Sequence, residues 1–150
     1  MAPRAALVSL SSAQLAVQAA GLVVAVRRRR HYDIGFLRGS PQHVVRDALW
    51  MGTAYSAPAY LMAAQWWATA RLRGQPDDGA RRLLGMLGVL YCPGYLSERS
   101  VRAHLRRFDP VESPVALAGV GLAAAMGVLG HRDRAGRVIA RPASRALRRA

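Results

Sequence analysis

The chain has 150 residues and a formal net charge of +14, with 52% hydrophobic residues and a mean hydropathy of only +0.07. All 22 basic side chains are arginine and none falls inside an apolar run, so the charge points to loops against anionic lipid headgroups and argues against nucleic acid. The lone Cys92 excludes an internal disulfide, and the Arg-, Ala- and Gly-rich composition fits GC-rich coding and a bacterial cell membrane.

Residues 5–26 carry no charge and are followed at once by Arg27 to Arg30. A secretory signal has its positive charge before the apolar region, so the reversed order predicts an uncleaved membrane helix. Gln14 and Gln18 share one face of it with Gly21 nearby, as an interhelical hydrogen-bonding face or a ligand-contacting one. Residues 31–40 form a polar connection broken by Gly35 and Gly39. His31 and Asp33, two apart in a loop, fall short of a metal site.

Ser40-Pro41 predicts an N-cap and a first helical turn from Pro41, placing His43 and Asp47 on one face at the membrane interface, able to pair. The helix then runs through 48–70, 23 uncharged positions, about 35 Å at 1.5 Å per residue and enough to cross a bilayer. Trp50 lies near one end, with Trp66 and Trp67 near the other, as two interfacial belts require. Pro58 predicts a kink near Tyr55, with Thr53 and Ser56 satisfying the freed carbonyls.

Residues 71–82 read as a loop in which Asp78 caps the next helix. The uncharged run 83–97 is short for a crossing and contains Pro93-Gly94, so it is either a thin span or a re-entrant hairpin. Val101, Leu105 and Phe108 recur on one side of 98–108, which predicts an amphipathic interfacial helix ended by Asp109-Pro110. Ser113-Pro114 starts a last span, 113–130, in which Gly119, Ala123 and Gly127 form a small-residue row suited to close helix packing. The Arg-rich tail, 132–150, is expected to be mobile or bound to the membrane surface.

The fold expected is therefore all-α: one domain over 1–131, an integral membrane bundle of four transmembrane helices (about 5–26, 43–70, 83–97 and 113–130), or three plus a re-entrant segment. Arginines on the two sides nearly balance, so charge bias sets no orientation. No catalytic motif occurs and no cofactor or metal is implied. No ionisable residue falls inside a predicted span, which weighs against ion-coupled transport. Two functions remain. One is a structural, accessory or subunit role, as a homo-oligomer or part of a larger membrane complex, through Gly119, Ala123 and Gly127. The other is a membrane enzyme or carrier acting on a lipid or apolar small molecule at an interfacial polar site of His43, Asp47, Glu98 and His104.

Overall fold

Helices account for most of the chain, in a computed structural model that describes residues 2–35 and 37–140. In order they are α1 (Ala2–Arg27), a hairpin of β1 (Asp33–Ile34) and β2 (Leu37–Arg38), α2 (Val44–Trp50), α3 (Ala59–Gly74), α4 (Asp78–Ser97), α5 (Arg99–Arg106) and α6 (Glu112–Ala140). The long helices α1, α3, α4 and α6 close a ring in which α1 touches α3 and α6, and α4 touches α3 and α6. Arg4 donates to the Arg73 carbonyl (2.9 Å) and Arg81 to the Gly130 carbonyl (2.9 Å), which fixes one end of the bundle. The hairpin, α2 and α5 cap the other end.

Among the described residues, two stretches are helical, long and apolar enough to cross a membrane, Arg4–Arg27 and Glu112–Arg132. Fewer than half the positions in either are covered by the rest of the chain. Inside the ring Ser11, Gln14, Gln18 and Gln65 are fully buried, whereas Trp66, Trp67, Met86, Val89 and Leu90 face outward.

The expected helix over 43–70 is broken rather than kinked. Pro58 is the N-cap of α3 with extended backbone (φ −53°, ψ 144°), and its missing N–H prevents the helix from continuing toward α2. Gly52 takes φ +85°, open to glycine at little cost, and the chain folds back so that Thr53 N–H donates to the Ser56 carbonyl (3.0 Å). Thr53 and Ser56 hydroxyls bond each other (2.8 Å) instead of serving a kinked helix. The helix expected from Pro41 starts only at Val44, after a turn in which His43 N–H donates to the Ser40 carbonyl.

The 83–97 run does not turn back. It lies within the continuous helix α4, with Pro93 on the exposed side. Its cap is Asp77, which accepts from Ala80 N–H (2.9 Å), one residue before the expected Asp78. The amphipathic helix is shorter than 98–108: in α5 Val101 is buried, while Phe108 lies beyond the helix and is exposed. Of the 132–150 tail, residues through Ala140 continue α6, and 141–150 lie outside the described residues.

Gly119, Ala123 and Gly127 are buried inside the chain. Gly119 lies under the Tyr95 ring, and Gly88 of α4 packs on the backbone of Ala123 and Gly127, while Gly85 meets Gly130 and His131. α4 and α6 are the most extensively packed pair because their backbones approach at these glycines. The row expected to hold a partner helix is thus covered by α4, so self-association through it lacks a free surface.

Candidate functional site

The capped end of the bundle is built around Glu112. Asp109 begins α6 by accepting from Val111 and Glu112 N–H (both 2.8 Å), and those amides with Arg28 hold its carboxyl down at about 2. This cap starts α6 before Ser113, so Ser113 is not the cap; its hydroxyl instead donates to the His104 carbonyl (2.9 Å). Glu112 is therefore in the first helical turn, fully buried.

Four side chains converge on its carboxylate. Arg28 donates at 2.8 Å and Arg30 at 3.1 Å to Oε1, the Tyr55 hydroxyl donates to Oε2, and His104 Nε2 lies 3.3 Å from Oε2. Arg28 also reaches Asp109 (3.1 Å), and His104 Nδ1 sits 2.7 Å from the Ser100 carbonyl. Tyr55 gets there because the 51–58 loop, released from helix, carries it to the bundle axis. Its backbone and Cβ lie against Gly21, where there is no room for a side chain, and its carbonyl accepts from the Tyr95 hydroxyl (3.3 Å).

Below it runs a polar seam between α1 and α3. Gln18 donates to Gln65 (3.0 Å) and accepts from Ala57 N–H (3.2 Å), so a side chain of α1 satisfies backbone freed by the break. Gln65 in turn donates to Ser11, whose hydroxyl bonds Thr69 (2.7 Å). Gln14 on the same face is fully buried, beside the Tyr95 side chain.

Between α3 and α4, beside the loop, lies a cavity of about 270 Å³. Ala57, Leu61, Leu90 and Tyr95 give it apolar and aromatic walls, and Thr53, Ser56 and Glu98 supply polar atoms at its capped end. Met51, Tyr60, Leu90 and Gly94 line it and are exposed, marking its mouth. Tyr91 also lines it, only 4% exposed, with its hydroxyl beside the Gln18 side chain.

Glu98 connects the cavity to the hairpin. Both its oxygens accept from Asp33 N–H (2.9 and 3.0 Å), and Ile34 pairs with it across an isolated bridge. Burial pushes its carboxyl up to about 7, against the opposing pull of that amide. Raised above its unfolded value, the group binds a proton more readily in the folded chain, so folding loses stability as pH rises from about 5 through 7. Glu98→Gln is expected to remove this dependence: wild type should lose on the order of 1 kcal/mol relative to the variant between pH 5 and 8. Thermal melts of both proteins at the two pH values check it, and parallel pH curves would contradict it.

The four residues expected at the interfacial site do not form one cluster. Glu98 joins Asp33 and the cavity, while His104 joins Tyr55 and Glu112. His43 is exposed at the start of α2, and Asp47 lies 3.6 Å from Arg46 rather than pairing with His43 through its side chain. Tyr55, Arg28, Arg30 and Glu112 were missing from that set. The Asp109-Pro-Val-Glu112 spacing resembles a capping box and carried the signal for Glu112. For Tyr55 the signal was Gly52 and Pro58 bracketing it.

Comparison with known protein families, curated proteins and solved structures finds no match for this chain.

Proposed function

We propose that the chain is a multi-pass protein of the bacterial cell membrane, spanning it with α1, α3, α4 and α6, and that it binds a lipid-like or apolar small molecule in the cavity between α3 and α4. The cavity carries the proposal: its walls are apolar, its mouth lies between two helices with outward apolar side chains, and the buried Tyr91 and Tyr95 line it. The large apolar side chains exposed on the outer faces of the long helices, Trp66, Met86, Val89, Leu117 and Val128 among them, support the bilayer setting. Irregular backbone at 51–58 is tolerable there because Gln18, Thr53 and Ser56 satisfy it and it borders a cavity. Binding is favoured over turnover because Glu98, the carboxylate in the lining, has both oxygens engaged by Asp33 N–H.

A leucine in place of Gly94 offers a direct test. A Cβ at Gly94 meets nothing within 4 Å, so the side chain enters open space without displacing a neighbour. In liposomes containing phosphatidylcholine with a diazirine on the acyl chain, Tyr91 and Tyr95 should be labelled in wild type. Gly94→Leu should cut that labelling roughly tenfold, the equivalent of about 1.4 kcal/mol of lost apolar burial. Labelling of outward-facing Leu117 should not change. Equal labelling of Tyr91 and Tyr95 in both proteins would overturn the proposal.

A further inference from the structure

We infer that the bound molecule is an anionic amphiphile whose phosphate-type headgroup sits in an arginine-lined recess next to the cavity; this rests on the lipid-binding reading above. The recess, about 430 Å³, is lined by four arginines (Arg28, Arg29, Arg30 and Arg38), His31, Pro41 and Ser100, together with the carboxylate of Asp33. It adjoins the apolar cavity: Ile34 and Glu98 line the cavity, Asp33, next to Ile34, and Ser100, two residues beyond Glu98, line the recess, and the Ile34–Glu98 bridge joins the two elements.

Charge selects the headgroup. Five guanidiniums, Arg28, Arg29, Arg30, Arg38 and Arg99, stand against four acidic groups here, Asp33, Glu98, Asp109 and Glu112. Arg28 and Arg30 are occupied by Glu112, whereas Arg29 has no acidic partner among the described residues. Its φ of +52° takes the chain out of α1, toward His31, whose Nδ1 is buried with no partner among the described residues. Guanidinium groups bind phosphate through paired, charge-assisted hydrogen bonds.

Depth selects a membrane source. The recess begins directly after the apolar length of α1, where phosphate groups of a bilayer lie, while the cavity is lined by α3 and α4 on the bilayer side. An acyl chain in the cavity and a phosphate in the recess then belong to one molecule.

The test uses the full chain in liposomes with acyl-diazirine phosphatidylglycerol or phosphatidylcholine. Wild type should show about tenfold more labelling of Tyr91 and Tyr95 by the anionic lipid. The double variant Arg29→Gln/Arg38→Gln, at exposed side chains, should label equally with both lipids. Arg82→Gln, at the opposite end of the bundle, should retain the preference. Preference surviving in the double variant, or lost equally in Arg82→Gln, would overturn the inference. So would competition by soluble glycerol 1-phosphate as effective as that by phosphatidylglycerol vesicles, which would assign the recess to a free phosphate. Headgroup-insensitive labelling that Gly94→Leu still abolishes rejects the headgroup and keeps the cavity. Labelling insensitive to Gly94→Leu rejects the cavity reading itself.

Discussion

Glu112→Ala is expected to destabilise the protein by about 3 kcal/mol, because one partner of a buried ionic group is removed while the others remain. Arg28, Arg30, the Tyr55 hydroxyl and His104 all meet at this carboxylate, which is fully buried. Its loss leaves Tyr55, itself fully buried, without its carboxylate acceptor and removes what ties α1, the 51–58 loop and α5 to α6. The two arginines are about 40% exposed and can turn to water, which keeps the cost at the lower end of the range for buried pairs. Glu112→Gln keeps the acceptor oxygen and should cost less. Thermal unfolding in detergent, followed by circular dichroism, measures both. A melting temperature unchanged in Glu112→Ala would show that the cluster does not hold the cap.

Gly88→Leu should be at least as damaging. A Cβ at Gly88 falls on the backbone of Ala123 and Gly127, which cannot move without separating α4 from α6. Overpacking costs about 1–3 kcal/mol where side chains can yield, and more here because backbone is the obstacle. The expected result is loss of the monodisperse peak in size-exclusion chromatography, or a melting temperature lower by roughly 10 °C or more. Gly121→Leu on the same helix α6 is the control: a Cβ there meets nothing within 4 Å, and no change is expected. Equal behaviour of the two variants would mean that close approach at Gly88 is not what packs α4 against α6.

Charge-free length made the helical character of 5–26, 83–97 and 113–130 legible, because apolar runs bounded by arginine leave few alternatives to helix. Gln14, Gln18 and Gly21 were legible as an inward face for the same reason, since polar side chains in an apolar helix must find partners within the protein. The small-residue row on α6 was visible too, but not its partner. Gly85 and Gly88 on α4 complement it within one chain, and composition cannot distinguish an internal neighbour from a second copy.

The break in 48–70 was harder to read. Pro58 and Gly52 are both compatible with a kinked span, and what favours a loop is a set of distant partners: Gln18 for the Ala57 amide, Gly21 for space, Glu112 for the Tyr55 hydroxyl. The same holds for the acids. Glu98 and Glu112 both flank apolar runs and look like surface charges, and Asp109 decides otherwise by starting α6 early enough to bury one of them.

By itself the sequence determined where most of the helix forms, that Gln14 and Gln18 share one face of α1 and that arginine falls outside the apolar runs, because these follow from local periodicity and composition. The tertiary structure decided which polar groups meet: that Tyr55 leaves its helix for Glu112, that Glu98 turns to Asp33 and that a cavity opens beside them. Those outcomes depend on hydrogen bonds between residues 40 to 65 positions apart, which local sequence does not encode.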